Sequence, residues 1–414
     1  MRPISTKFFT YLFCCFSSCC KAVKRQKWTP VGVLFLALFF LQGIDAQAQI
    51  NHAEVVPRAT DAAIDLDILP SGDTVKHQIF TNTAPGAAQG KLLVFLADFG
   101  KIPGDFYKRF CEIGAYEGYH TIGLVYKNFT PISGSCANTT DLTCSEDARW
   151  EVIYGEDSSA IVNVNMPNSI MNRLQKLLLH LHNNDPLAGW DSFVNLQNPG
   201  LFWENITMSG HGDGGGHVAL IARDHILSRV LMFNAPNDFN YHPSVMSQPS
   251  WLSDPHMTPD KAYYAFYHQQ DHGPQVLDVA VTLGLGNYGD EVNIDTVQYP
   301  YNCTQILYTD SNTFNHGAYT NLSCGGPFPY HPHDDIIVDC EVPVDAGNVT
   351  PYDSAWKYML RINACDTCID VALIDSTHIC PPVNEPVCGC DNKTYQNDCF
   401  AQYRGGVTSW TPGP

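Results

Sequence analysis

Nine residues, Ser209 to His217, read SGHGDGGGH. They stand between the apolar run ENITM and the helix-forming run VALIARDHI, so the chain must climb a strand, reverse on glycines and leave along a helix. The surrounding sequence repeats that rhythm. KLLVFLADFG, from Lys91, is a buried strand running into a glycine, and DFYKRFCEIGAYEGY follows with Phe106, Phe110 and Ile113 at helical spacing. HTIGLVY is the next strand, and Asn168 opens a helix with Ile170, Leu174, Leu177, Leu178 and Leu181 on one face. RVLMFNAP and AYYAFYHQQ continue the series. Strands alternating with helices predict an α/β domain, a mostly parallel sheet with helices on both faces.

The chain has 414 residues, enough for one large domain and a small one. Its 23 Lys and Arg against 42 Asp and Glu give a net charge of -19, which argues against nucleic acid and anionic membranes as partners. Residues 1–48 read as a secretory leader. Lys21, Lys24, Arg25 and Lys27 precede the apolar run Val31 to Leu41, and Ala46-Gln47-Ala48 offers a small-residue cleavage site. The apolar run is shorter than the ~20 residues that a membrane span needs. Export suits the 16 cysteines, since pairing is permitted outside the cytosol. It also suits the sequons at Asn128, Asn138, Asn205, Asn302, Asn321, Asn348 and Asn392, which read as glycosylation sites.

The strand, glycine turn and helix at 209–217 have the outline of a nucleophile elbow, GxSxG. Positions 210 to 214 are Gly, His, Gly, Asp, Gly, so Gly212 stands where a serine would attack. A working triad adds an acid after a late strand and a histidine near the end. AYYAFYHQQDHGP supplies Asp271, with Asp238 in reserve, and PYHPHDDIIVD supplies His331 and His333. Together these pieces resemble the α/β-hydrolase fold, in particular secreted or periplasmic bacterial hydrolase-like proteins with a PGTGG-like turn, a GHSQGGGH elbow, an FxHxxD acid segment and an HGSVVVD-like histidine segment. The matching pieces are ADFGK (Ala97 to Lys101), GHGDGGGH, FYHQQD (Phe266 to Asp271) and HDDIIVD (His333 to Asp339). The resemblance implies Asp271 as acid, His333 as base, and an oxyanion hole around Ala97, Asp98 and Asp213. The departures fall where the chemistry would be: glycine at 212, and an acidic Asp98 in a turn that should aim N–H donors at negative charge. Glycine adopts the positive-φ turn freely, so losing serine relaxes the elbow while removing the attack.

Asp213 is the alternative nucleophile, as aspartate serves in dehalogenases and epoxide hydrolases of the resembling fold, although His211 beside the turn is bulky where close packing wants a small residue. His211, Asp213, His217, His331 and His333 are metal-ligand types without the spacing of a known zinc motif, so no metal and no cofactor is expected. Ser209 reads as a strand-end serine and Cys111 as a buried free thiol.

From Cys365 helix signals thin out and Cys, Pro and Gly accumulate. A fifty-residue piece with so little apolar content needs disulfides. Cys380, seven residues, Cys388, ten residues, Cys399, with PVCGCDNKTYQNDC inside, resembles the Kazal module of serine-protease inhibitors. That resemblance implies pairing of Cys380 with Cys399 and Cys368 with Cys390, leaving Cys388 for a final cysteine that the pattern places just after Pro414. It also implies an inhibitory loop at Pro381, Pro382 and Val383, with Pro382 at the primary specificity position, where proline fits few protease pockets. Elsewhere, proximity in sequence suggests Cys136 with Cys144, Cys303 with Cys324, and Cys340 with Cys365.

The expectation is a leader at 1–48, an α/β-hydrolase-like domain at 49–362 and a Kazal-like domain at 363–414. Function is expected to be binding: an extracellular serine protease at the small domain, and a small ligand held without turnover in the large one. The competing expectations are an active hydrolase with an unusual nucleophile, and a protease inhibitor whose large domain is a carrier.

Overall fold

The computed structural model describes residues 49–68, 72–84, 86–242, 246–311, 331–361, 373–375, 377–389, 393–407 and 410–413. The leader at 1–48, the boundary at 362/363, Cys324, Cys365, Cys368, Cys390, Asn321 and Asn392 lie outside them.

Nine strands of the described residues form one sheet. They are β1 (Ile50–Val55), β2 (His77–Asn82), β3 (Leu92–Leu96), β4 (His120–Leu124), β5 (Ile206–His211), β6 (Arg229–Phe233), β7 (Tyr263–His268), β8 (Val292–Asn293) and β9 (Ile306–Thr309). Their order is β1-β2-β4-β3-β5-β6-β7-β9-β8. β1 to β2 and β2 to β4 pair antiparallel, and every other pairing is parallel. The main helices are α1 (Lys108–Tyr116), α2 (Cys144–Tyr154), α3 (Ile170–Asn184), α4 (Asp213–Asp224), α5 (Gly273–Thr282) and α6 (Asp353–Leu360). The sequence placed the start of α3 one residue early. Ser169 is the cap, its hydroxyl accepting the Asn172 N–H, while Asn168 closes the preceding turn and accepts from Arg173 and the Asp65 N–H.

β3 shows why this is a two-faced sheet. All five of its residues are fully buried, and they alternate between cores: Leu92, Val94 and Leu96 pack with α3 and α4, while Leu93 and Phe95 pack with α1 and α6. Burying such side chains stabilises by about 1.5–3 kcal/mol each, enough to hold a strand that no polar face solvates. Among the described residues, no helix is long and apolar enough to cross a membrane.

The second sheet is small: β10 (Val387–Gly389) lies between β11 (Thr394–Tyr395) and β12 (Trp410–Pro412), beside helix α7 (Asp398–Gly405). Among the described residues, its apolar core is Val387, Ala401 and Val407, with Tyr395 and Trp410 against them. The Cys380–Cys399 disulfide ties the chain ahead of β10 to α7, as a core this small requires.

Candidate functional site

The chain passes from β3 outward to β4 and returns to β5 on the other side of β3. The carboxyl ends of β3 and β5 are therefore neighbours at a topological switch point, with Leu96 paired to Gly210. Asp98 follows one strand and Gly212 the other.

Gly212 has φ 51° and ψ -120°, a conformation that a residue with a Cβ rarely adopts, and α4 starts at the next residue. The glycines after it let α4 lie on the sheet: a Cβ at Gly214 would meet the Leu96 carbonyl at 2.3 Å, and one at Gly216 the Arg149 guanidinium at 2.2 Å. A Cβ at Gly212 would meet Asp98 Oδ1 at 2.1 Å and His333 Nε2 at 2.9 Å. A carboxylate oxygen thus occupies the space that an elbow side chain would need.

His333 arrives on the short helical turn Pro332–Asp335, and Asp271 follows β7. His333 Nδ1 lies 2.8 Å from Asp271 Oδ2, and its Nε2 lies 3.3 Å from Asp98 Oδ2. The His333 backbone is fixed as well. Its carbonyl accepts from His211 Nε2 at 2.8 Å and from Asn234 Nδ2 at 2.7 Å. A carbonyl only accepts, so His211 carries its proton on Nε2, and Nδ1 accepts from the Tyr107 hydroxyl at 3.0 Å. Burial holds His211 down to about 4, which keeps it neutral for that role.

Asp98 is engaged on both oxygens. Oδ1 accepts the Asp213 N–H at 2.9 Å, and Oδ2 also meets Lys101 Nζ at 3.3 Å, whose other partner is Asp334 Oδ1 at 3.1 Å. Burial penalises the Asp98 charge, but the hydrogen bond and charge of His333, with His211 and Lys101, hold its carboxyl well below the usual carboxylate range. Burial likewise opposes a charged His333, yet the hydrogen bonds from Asp271 and Asp98 and their charges raise it to about 10. The result is a line of three groups, Asp271, His333 and Asp98, with the middle one a cation.

Several sequence expectations meet corrections here. Asp213, the alternative nucleophile, turns away from the cluster: its carboxylate accepts from the Ile132 and Ser133 N–H groups and pairs with Arg149. Of the oxyanion set, the Asp213 N–H is already taken by Asp98, the Asp98 N–H donates to Tyr107, and the Ala97 carbonyl accepts from Tyr126. Asp238 belongs to the buried Arg149 pair and does not approach His333 as a reserve acid. His331 stacks edge-on to His333, their ring centres 6.2 Å apart. Asn128, read as a glycosylation site, is buried, and its Nδ2 donates to the Asp98 carbonyl at 2.6 Å and the Lys101 carbonyl at 2.7 Å. Asn138, Asn302 and Asn348 are exposed, and Asn205 is half-buried. Ser209 is buried in β5 with its hydroxyl unpartnered, and Cys111 is a buried free thiol.

Asp98, His211, His333 and Asp334 bring donor atoms within 4.8 Å of one another. Those atoms are committed. His211 Nε2 donates to a carbonyl, and the Lys101 ammonium bridges the two carboxylates where a cation would sit.

The second region of interest is the loop ahead of β10, where Pro381, Pro382 and Val383 are exposed. Asn397 joins it to α7: its Oδ1 caps the helix at Phe400 N, and its Nδ2 donates to the carbonyls of Pro381 at 3.0 Å and Val383 at 2.9 Å. Gln396 Nε2 adds a bond to the Val383 carbonyl at 3.2 Å. Pro382 is therefore presented between two clamped neighbours. Cys136 pairs with Cys144. Cys303 and Cys340 are each disulfide-bonded to a partner that the described residues do not identify, and Cys388 is free.

Asp98 is the residue whose place sequence reasoning misjudged. An acid beside an oxyanion turn was legible as an obstacle, but its reach to His333 was not. Residues 368–404 match the Kazal-type serine protease inhibitor domain, and no curated protein matches the chain. The chain thus carries a small disulfide-bearing Kazal domain together with a large, mostly parallel α/β sheet.

Proposed function

We propose that this is an extracellular protein of two modules, an α/β-hydrolase-like domain at 49–362 that is silent in acyl transfer and a Kazal-like domain at 363–414 that contacts a serine protease. The observation that carries the first half is the Asp98 carboxylate standing 2.1 Å from where a Cβ at Gly212 would lie. An acyl-transfer site needs a hydroxyl there and free N–H donors beside it. This site has neither: glycine supplies no hydroxyl, and Asp98 already occupies the Asp213 N–H. The large domain acts by holding a small ligand at the Asp98–His333 cluster. The second half rests on the clamped loop, which has its ordering entropy paid before a protease arrives.

The test is p-nitrophenyl acetate hydrolysis by three secreted chains. The native chain and Gly212→Ser are both expected to be inert, the second because Asp98 blocks the new side chain. Gly212→Ser combined with Asp98→Ala is expected to turn the ester over, since the Asp271–His333 pair then faces a hydroxyl. Ester hydrolysis by the native chain would overturn the reading.

A further inference from the structure

A cavity of about 100 Å³ opens in the large domain away from the Asp271–His333–Asp98 line, and none of those three residues lines it. Its walls are the aliphatic side chains of Ile132, Val152, Val162 and Val164. Phe129, 66% exposed, marks its open side. On the buried side stands His217, on the second turn of α4 and 1% exposed. The His217 ring packs edge-on against Tyr126, with ring centres 5.4 Å apart, and its Nδ1 has no hydrogen-bond partner among the described residues.

Burial, with the Arg149 charge beside it, holds His217 well below the ordinary histidine value, so the ring is neutral. A neutral imidazole carries one N–H and one bare nitrogen, and leaving either unmatched in the interior costs free energy that a partner recovers. Water is a poor partner here, because a buried water needs about two to four polar contacts and the aliphatic walls offer none. Charged molecules are poor partners as well. Asp213, which lines the cavity, repels an anion, and Lys127 spends its charge on Asp65 at 3.2 Å and Asp67 at 2.6 Å. The Arg149 charge that opposes protonation of His217 opposes any other cation at the ring.

We infer that this cavity binds a short-chain neutral alcohol without turnover, the hydroxyl on the His217 ring and the alkyl chain against Ile132, Val152, Val162 and Val164. A hydroxyl suits either tautomer of the ring, since it donates to a bare nitrogen and accepts from an N–H. The volume sets the chain length. A water takes about 30 Å³ and a cavity of about 150 Å³ takes a benzene, so this one suits a chain of about four carbons. Removing that chain from water supplies the affinity, and the single hydrogen bond supplies the selectivity. The site is additional to the charged cluster at Asp98 and His333, from which it differs in accepting only an uncharged guest.

The experiment titrates the full chain with trifluorobutanol, followed by fluorine NMR, beside trifluorobutyrate, trifluorobutylammonium and trifluorobutane, which keep the tail and change the head. The alcohol is expected to saturate at about millimolar concentration, and the other three to bind about tenfold more weakly or not at all. Val162→Trp, at a half-buried wall position, is expected to fill the cavity and abolish saturation by the alcohol. His217→Phe is expected to erase the preference for the alcohol over trifluorobutane. If that variant folds poorly, the four heads compared on the native chain decide the question with Val162→Trp. Absence of saturation, equal binding of all four molecules, or saturation that persists in Val162→Trp would overturn the inference.

Discussion

His333 is held between two carboxylates, and its pH behaviour follows from that position. Its folded value of about 10 lies above an ordinary histidine's 6.5. Its contribution to stability is therefore complete below about pH 6.5 and is lost as the pH rises through about 10. Asp98 and Asp271 are both depressed, after burial is overcome by His333. Their contributions are present above the unfolded value of about 3.9 and are lost as the pH falls through their folded values. Melting temperatures should be highest between about pH 4 and 6.5 and should decline toward alkaline pH. A His333→Gln chain should lack that alkaline decline; an unchanged slope would show that His333 is not the titrating group.

The turn after β3 is a packed unit rather than a loose connection. Asn128 fills it by bonding two carbonyls, those of Asp98 and Lys101, and so sets where Asp98 points. Asn128→Leu should destabilise the chain by about 1–3 kcal/mol in urea unfolding, because buried acceptors lose their donor. Peptide mapping of secreted material should find Asn128 unmodified and Asn138 available, since only the latter is exposed. Helix α2 contributes the other buried anchor. Arg149 and Asp238 are both fully buried at 2.5 Å, and Arg149 also pairs with Asp213 at the start of α4. Arg149→Ala should cost about 3–5 kcal/mol, more than an ordinary surface pair, because two carboxylates are left without their cation.

For the molecule as a whole, the question is what the small domain contributes. The loop around Pro382 is held by Asn397 and Gln396 whatever side chain stands at 382, since those bonds go to the carbonyls of its neighbours. Pro382→Arg in the full chain should therefore tighten trypsin inhibition by tenfold or more, roughly the value of filling a specificity pocket. Asn397→Ala should undo that gain by freeing the loop. Inhibition constants for the two chains check both statements, and equal constants would mean that the loop is not the contact.

The alternation of strands and helices, the strand–glycine–helix turn at 209–217 and the Kazal spacing were all legible in the chain, because each depends on residues close together in sequence. The glycine run had a local meaning that the structure keeps: Gly212 turns with positive φ, and Gly214 and Gly216 admit the neighbouring backbone and Arg149. The resemblance put Asp271 and His333 in one site, and they do meet. What the sequence could not carry was the reach of side chains across long separations. Asp98 and the Asp213 N–H are 115 residues apart, and Asn128 and Asp213, read as a glycosylation site and an alternative nucleophile, are enclosed by partners from other segments. Local order follows from spacing and backbone preference, so it can be read from a string of residues. The identity of the group that fills the space at Gly212 depends on which strand ends the sheet brings together, and only the tertiary structure decided that.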